Sequence, residues 1–409
     1  MSRKIPVGTA LAILFVVMAA TIAITMKVSM NAYNKLISDL AERSAMYEGV
    51  AEVDKIARDK FDGTIDSDSI YSGIASGYID GLGDAASYYL NPEEYSTYKN
   101  KLLGKMSGTG ITCAYNKETD YLHISAVAKN SPAEQAGIKP GDEISKIADI
   151  DVDYENYKEL VSNLEGNKLQ NVNVTYVRDG MPNTVNLVMG YNVTSVSYRN
   201  LGAIGIISIN GFYENAIGQF KDAIAALTEA KCTSLIIDVR NCDEGTIEYA
   251  TEVLDILVPV ATDGTGAMAT IVNSEGKTID TYPSDSESVS LPMLVLVNGS
   301  TEGPAELFAC DLRDFGKAQL IGTKTRGVCT MQEVYPLSNG GALVLTVADV
   351  LPYTSDKING KGLTPDYLVK LTAEQTAQIG IMSDGEDPQM QKAFEIFQST
   401  AAAPVEDAG

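Results

Sequence analysis

Residues 291–332 read LPMLVLVNGSTEGPAELFACDLRDFGKAQLIGTKTRGVCTMQ. The apolar run Met293–Val297 has the length of a buried strand, and a turn rich in Gly, Ser, Thr and Pro follows it. The pattern then predicts a helix that starts near Ala305 and a second strand over Ala318–Gly322. A strand, a turn, a helix and another strand are how an α/β sheet presents a functional turn at its edge.

This stretch resembles the centre of the C-terminal processing (tail-specific) serine peptidases. In that family the turn reads Gly-Ser-Ala-Ser-Ala-Ser-Glu, and a later Thr-Phe-Gly-Lys-Gly carries the general base. Alignment on Asn298 and Glu306 places the family's nucleophilic serine on Gly303. Alignment of the later segment places the family's lysine on Val328, whereas its glutamine remains as Gln332. The resemblance therefore implies the peptidase fold, but both members of the Ser–Lys dyad are replaced.

Composition sets limits on the function. The chain has 409 residues, 45% of them apolar, which predicts two or three globular domains. Its formal charge of −23 argues against a nucleic-acid partner, because phosphate binding needs clustered Lys and Arg. The five cysteines lack Cys-x-x-Cys spacing, and the single histidine, His123, almost excludes a Ser-His-Asp triad. We expect no metal and no cofactor.

The N-terminus predicts a membrane segment within residues 1–30. Arg3 and Lys4 precede an uncharged stretch, Ile5–Met26, whose roughly 22 residues would span a bilayer core of about 30 Å as a helix. An uncleaved anchor is favoured over a cleaved signal peptide, because no small-residue cleavage motif precedes Lys27. The basic end should stay inside, which predicts that the remainder lies outside the cytoplasmic membrane. Secretion after cleavage is the alternative.

Two further domains precede the core. Residues 31–105 are predicted to form a helical segment, and residues 106–193 show short strands with one helix at Tyr154–Leu164. The second region resembles a PDZ domain through NSPAEQAGIKPGDEISKIADIDV and through GTGI, which is Gly108, Thr109, Gly110 and Ile111. Such a loop exposes backbone N–H groups to the C-terminal carboxylate of a peptide. The resemblance thus implies binding of protein C-termini, and a closed PDZ domain that acts only as a spacer is the alternative.

Residues 194–372 are predicted to form an α/β (α+β) peptidase-type core of alternating strands and helices, into which the mainly-β PDZ domain is inserted. Residues 373–409 are predicted to be a helical region and a flexible tail. The family's oxyanion loop falls on residues 238–245, where Glu244 replaces its first glycine and Gly245 remains. A carboxylate from Asp243 or Glu244 would oppose an oxyanion there, unless it points to solvent.

The residues near the two dyad positions are poorly placed to replace the missing serine and lysine. Ser300 and Thr301 lie in the same turn but before the nucleophile position, and Cys329 should point away from it. Strand spacing would separate Lys324 from the base position by roughly 13 Å. Pro304 has no N–H with which to bind an oxyanion.

Three hypotheses follow from these observations. The leading one is a pseudopeptidase that binds protein C-termini through its PDZ domain outside the cytoplasmic membrane. The second is an active serine-type endopeptidase with a displaced nucleophile. The third is a scaffold that oligomerises with itself or with active relatives through its helices.

Overall fold

The computed structural model describes residues 7–165, 170–262, 267–285, 288–354 and 356–402. The chain divides into two compact units, Met1–Ile74 and Ala75–Gly409. The first unit contains one long helix, α1, Val7–Lys60. Within the described ranges, no helix combines the length and apolarity needed to cross a membrane. Residues 1–6 and several side chains of α1 lie outside the description, so the membrane anchor stays a prediction.

A short helical segment leads into the second unit. It consists of helix α2, Ser67–Asp80, strand β1, Tyr88–Leu90, and helix α3, Pro92–Leu102. The start of α3 is fixed by Asn91, whose side-chain oxygen accepts hydrogen bonds from the N–H groups of Glu93 and Glu94, both at 3.0 Å. The Glu94 carboxylate accepts the N–H of Asn91 in return, at 2.9 Å. This reciprocal capping explains why the chain turns into a helix at this point.

The inserted domain is a small β structure with its own core. Its elements are β2 Lys105–Met106, β3 Ile111–Asn116, β4 Tyr121–Val127, α4 Pro132–Gln135, β5 Glu143–Ile147, β6 Ile150–Asp151, α5 Tyr157–Leu164, β7 Asn171–Arg178, β8 Met181–Val188 and β9 Tyr191–Asn192. The sheet order is β3-β4-β5-β7-β8, so β3 is an edge strand, and β6 pairs with β5. Strands β2 and β9 pair with each other. The chain therefore enters and leaves the domain at one place.

The remaining residues form the predicted α/β core. Its elements are β10 Val196–Leu201, β11 Ile204–Ile209, α6 Glu214–Glu229, β12 Ser234–Asp238, α7 Ile247–Asp255, β13 Ala267–Val272, β14 Thr278–Pro283, β15 Met293–Val297, α8 Pro304–Asp314, β16 Ala318–Gly322, β17 Thr330–Pro336, β18 Ala342–Leu351, β19 Tyr367–Leu368, α9 Ala373–Ala377 and α10 Pro388–Ala402. Strands β15 and β16 have the predicted bounds, and α8 begins one residue before the predicted start.

The central sheet is covered on both faces. Its order is β10-β11-β12-β15-β16-β19, with parallel pairing from β11 onward. On β15, Val295 belongs to the large core that includes α6, α7 and α8, whereas Leu294 belongs to a second core with residues of α10. Because both faces are buried, these strands appear in the sequence as continuous apolar runs.

A second sheet contains β1 from the N-terminal segment and four strands of the core. Its order is β1-β18-β13-β14, and β17 also pairs with β18. Strand β17 begins directly after the loop that follows β16. That loop contains Val328, the base position, and therefore connects the two sheets. The two sheets thereby supply different sides of the site described next.

Candidate active site

The site forms where three neighbouring parallel strands end. The carboxyl ends of β12, β15 and β16 lie at one edge of the sheet, so the loops 239–246, 298–303 and 323–329 meet there. Two asparagines join the first two loops. Asn298 accepts the N–H of Asn241 at 3.1 Å and donates to the Asn241 side chain at 2.7 Å.

The nucleophile position lies in a constrained turn. Gly303 has φ 58° and ψ −115° and immediately precedes α8, whose first residue is Pro304. A β-carbon placed on Gly303 would have as its nearest neighbour the carbonyl oxygen of Val328, at 3.5 Å. There is space for a side chain at this position, but its positive φ favours glycine. The structure thus places the two dyad positions next to each other, without a hydroxyl or an amine.

A buried carboxylate holds these two loops together. Glu306 is fully buried and accepts hydrogen bonds from the backbone N–H groups of Gly327 at 2.7 Å and Val328 at 2.9 Å. It also accepts the Thr325 hydroxyl and, at 3.3 Å, the N–H of Gly303. From the sequence, Glu306 serves only as an alignment point for the turn. Its position three residues after the N-cap residue Gly303, typical of a capping side chain, is the signal that could have revealed this role.

A cavity of about 290 Å³ lies over the dyad positions. Its walls include all five residues that the sequence assigned to the peptidase site, which are Gly303, Val328, Gln332, Glu244 and Gly245. Three tyrosines, two further carboxylates and one lysine also line it, namely Tyr88, Tyr98, Tyr213, Asp243, Glu302 and Lys101. The structure therefore assembles the predicted site, and the added residues give it acidic and aromatic walls.

Glu244 is paired within the cavity. Its carboxylate accepts a hydrogen bond from Lys101 at 2.5 Å, across 143 residues of sequence, and another from the Tyr213 hydroxyl. The sequence predicted that this carboxylate would either repel an oxyanion or point to solvent, and it gave no sign of the pairing with Lys101. Gly245 is required for backbone reasons, because its φ is 119° and a β-carbon would lie 2.2 Å from the Phe212 carbonyl oxygen.

Glu302 is the other carboxylate beside the dyad positions. Partial burial raises the pKa of its carboxyl group, the nearby Arg326 opposes the rise, and Asp243 and Glu306 add to it. Arg326 lies 3.7 Å from Glu302. The cavity at the position of the family's lysine thus has three carboxylates in its wall, from Asp243, Glu244 and Glu302.

The neighbouring groups that the sequence considered as replacements do not line the cavity. Ser300 is exposed, and the buried Thr301 hydroxyl donates to the Val239 carbonyl at 2.9 Å. Cys329 is fully buried in the core, which raises the pKa of its thiol. Lys324 is exposed, and the strand-spacing argument for it was wrong in detail, because residues 323–329 form an irregular loop. The family glutamine, Gln332, instead donates to the Thr330 hydroxyl at 2.7 Å.

A larger cavity, of about 760 Å³, adjoins the predicted carboxylate-binding loop. It lies between α3 and the edge strand β3, and Tyr88, Tyr98 and Lys101 line both cavities. Thr109, Gly110 and Ile111 contribute to its wall, whereas Gly108 is buried behind them.

The GTGI loop is partly closed on itself. Both the N–H and the hydroxyl of Thr109 donate to the Leu164 carbonyl, at 2.8 and 3.1 Å, so this N–H is already used inside the domain. A β-carbon on Gly108 would lie 2.7 Å from the same carbonyl, and one on Gly110 would lie 2.2 Å from Ser131. Both glycines are therefore needed for the loop to pack against α5 and α4.

This fold and site define a class of protein. Residues 203–369 match the model of peptidase family S41, and residues 123–178 match a PDZ domain. The chain is a homologue of the S41, C-terminal processing, serine peptidases and carries a PDZ domain.

The chain is also similar to particular proteins and solved structures. A probable CtpA-like serine protease of Staphylococcus aureus is 26% identical over 373 residues, which are 89% of this chain and 73% of that protein. A crystal structure from Bacteroides fragilis assigned to the S41 proteases has a TM-score of 0.52 at 16% identity and covers 84% of this chain and 94% of its own. The photosystem II D1 C-terminal processing protease matches with a TM-score of 0.47 at 23% identity, over 76% and 84% of the two chains.

Proposed function

We propose that this protein is a pseudopeptidase that holds an extended peptide without cutting it. The observation that carries the proposal is the cavity at the dyad positions, whose walls contain Gly303 and Val328 where the family chemistry needs a serine and a lysine. A Ser–Lys mechanism needs a hydroxyl within about 3 Å of an amine that can lose its proton. Among the described residues that line this cavity, Lys101 supplies the single amine, and it is bound to the Glu244 carboxylate instead of facing a hydroxyl.

The hydroxyl groups in the cavity are poor nucleophiles. Burial, reinforced by the neighbouring Tyr88 and Tyr95, raises the pKa of the Tyr98 hydroxyl to about 12. Burial and the bond to Glu244 also raise the pKa of Tyr213. The Thr330 hydroxyl is bound by Gln332. Pro304 has no N–H to donate in the turn that should bind an oxyanion. The site therefore lacks both a group that activates a nucleophile and a donor that stabilises the oxyanion.

The peptide path is argued from the edge strand and the two adjoining cavities. Strand β3 has a partner on one side only, which leaves an edge where an extended peptide can add as a further strand. The cavity beside this edge continues to Tyr88, Tyr98 and Lys101, which also line the degenerate site. A peptide that pairs with β3 would thus stay within the two cavities along its whole path to Gly303.

The charge of this path suggests the kind of peptide. Among the described residues that line the larger cavity, three are carboxylates, Glu93, Glu94 and Glu165, and one is a lysine, Lys101. Lys and Arg side chains near the end of the peptide should therefore strengthen binding, and added salt should weaken it. A free C-terminal carboxylate must rely on Lys101 and on the remaining N–H groups of the loop.

The test uses the full chain and unstructured peptides that end in apolar residues, with or without a preceding lysine pair. Calorimetry measures binding, and mass spectrometry follows cleavage in parallel. Gly110→Ala should abolish binding, because its β-carbon would overlap Ser131. Gly218→Ala is the matched control, since nothing lies within 4 Å of its β-carbon.

Binding without cleavage, lost in Gly110→Ala and kept in Gly218→Ala, supports the proposal. Calorimetry with peptides whose C-terminus is amidated tests whether the carboxylate itself is recognised, because such peptides bind more weakly if it is. Steady cleavage that disappears in Ser300→Ala or Thr330→Ala would instead establish the enzyme with a displaced nucleophile.

A further inference from the structure

The second half of α8 carries an anionic cluster that the peptide site does not use. One ligand atom each from Cys310, Asp311 and Asp314 lies within 4.8 Å of the other two. Cys310 and Asp311 are fully buried, and Asp314 is half-buried. Cysteine spacing in the sequence indicated no metal site, because these ligands come from adjacent turns of one helix and not from a Cys-x-x-Cys motif.

Asp311 makes the cluster more than a set of acidic residues. One of its carboxylate oxygens accepts the N–H of Tyr353 at 2.9 Å. The other oxygen, Oδ2, is fully buried and has no hydrogen-bond partner among the described residues. A buried oxygen without a partner costs about 1–3 kcal/mol, so such atoms call for an unseen partner.

A proton does not fully answer this need. Burial raises the pKa of the Asp311 carboxyl group, the Tyr353 N–H opposes the rise, and Asp314 adds to it. A protonated Oδ2 would itself need an acceptor within hydrogen-bond distance, and Oδ2 makes no hydrogen bond among the described residues. A cation beside the three groups would supply a partner to Oδ2 and also neutralise the charges of the two carboxylates.

We infer that Cys310, Asp311 and Asp314 bind a divalent transition-metal ion of the zinc type. A thiolate combined with carboxylates suits zinc, whereas magnesium and calcium take oxygen ligands alone. Typical zinc bonds of about 2.3 Å to sulfur and 2.1 Å to oxygen put tetrahedral ligand atoms about 3.6 Å apart. The Cys310 sulfur lies 4.0 Å from an Asp314 oxygen, so this pair must approach by about 0.4 Å. All three ligand atoms lie within 4.8 Å of one another, so the other pairs must approach by at most about 1.2 Å.

The surroundings are already arranged to orient these ligands. The backbone N–H groups of Tyr353 and Thr354 hold the two carboxylates, at 2.9 and 3.1 Å. The Arg313 guanidinium also contacts the Cys310 sulfur, at 3.9 Å. A bound ion would fix the second half of α8, whose two carboxylates already accept hydrogen bonds from the loop after β18. It would stabilise the fold without any part in peptide binding.

The test is metal binding to the full chain after reduction and removal of metals with a chelator. We expect one Zn²⁺ per chain, and with Co²⁺ a near-ultraviolet charge-transfer band that reports a thiolate ligand. Cys310→Ser should remove the band, and the isosteric Asp311→Asn should weaken the affinity for Zn²⁺ more than about 10-fold. Cys232→Ser, a buried cysteine elsewhere, is the control that should keep both.

Urea unfolding of each variant separates lost binding from lost folding. Zn²⁺ should raise the unfolding midpoint of the parent and of Cys232→Ser, and leave that of folded Asp311→Asn unchanged. Three results would overturn the inference: no stoichiometric Zn²⁺, a cobalt band that persists in Cys310→Ser, or an Asp311→Asn chain that is more stable than the parent with Zn²⁺ bound. The last result would show that Asp311 is a neutral acid.

Discussion

Replacement of Glu306 by alanine should destabilise the core more than any single change at the dyad positions. The Glu306 carboxylate is the shared acceptor for the N–H groups of Gly303, Gly327 and Val328. It thereby links the turn before α8 to the loop after β16. Since the three donors face inward to this carboxylate, the substitution leaves them without an acceptor.

The expected size of the effect follows from those three donors. A buried N–H that loses its acceptor costs roughly 1–3 kcal/mol, which gives about 3–9 kcal/mol for three. The Thr325 hydroxyl is left out of this sum because it can rotate toward another acceptor. Glu306→Gln keeps one acceptor oxygen, so its cost should be about half as large. Glu252→Ala, an exposed change on α7, should stay within about 0.5 kcal/mol.

Urea unfolding followed by far-ultraviolet circular dichroism measures the loss of stability, and tyrosine fluorescence is a second probe because the chain has 21 tyrosines and no tryptophan. Hydrogen exchange then locates the effect. The amides of Gly327 and Val328 should lose protection in Glu306→Ala, while amides of the inserted domain keep theirs.

A Glu306→Ala protein within 1 kcal/mol of the parent, with unchanged protection of those amides, would refute this reasoning. It would mean that solvent or another acceptor replaces the carboxylate at little cost. The dyad positions would then be held by the packing of α8 and the loop alone.

Three other predictions concern the site and its support. The double variant Gly303→Ser, Val328→Lys restores the dyad and should give at most slow peptide cleavage. Adding Pro304→Ala should accelerate that cleavage about 100-fold or more, because it returns an N–H to the turn. Equal rates with and without Pro304→Ala would contradict this account of the oxyanion site. Arg240→Met should lower the free energy of unfolding in urea by about 3–5 kcal/mol, because the buried guanidinium pairs with Asp238 and Asp387. Arg199→Ala, which removes the exposed pair with Asp384, should lower it by less than about 1 kcal/mol. Similar losses in both variants would refute the distinction between buried and exposed pairs. The raised pKa of Glu302 means that the folded state holds its proton to higher pH than the unfolded state, so the stability contributed by this group is greatest below the unfolded pKa and falls as pH rises through the folded pKa; Glu302→Gln should flatten this part of a stability profile between pH 4 and 7, and an unchanged profile would contradict the assignment.

Local patterns were enough to predict the elements around the site. The apolar runs of β15 and β16 are continuous because both faces of the sheet are covered, and the turn between them is rich in Gly, Ser, Thr and Pro. The N-cap of α3 also follows from neighbouring residues, since Asn91 and Glu94 bond to each other's backbone. The replaced dyad residues, Gly303 and Val328, could be placed by resemblance alone.

Side-chain partners far apart in the chain could not be predicted in this way. Lys101 pairs with Glu244 across 143 residues, and nothing in either local pattern points to the other. The irregular loop before β17 likewise changed the expected position of Lys324, because strand spacing does not apply there.

The sequence by itself determined the strands and helices around the site, because periodicity, capping and turn residues act over a few neighbours. Its resemblance to a peptidase family indicated the PDZ-like insertion and the replacement of the two dyad residues. Only the tertiary structure decided that Glu306 joins two loops, that carboxylates and tyrosines line the cavity, and that Asp311 keeps a buried oxygen without a described partner. These features depend on which strand ends meet and which side chains are removed from water together. That is a property of packing between distant segments, which no local pattern contains.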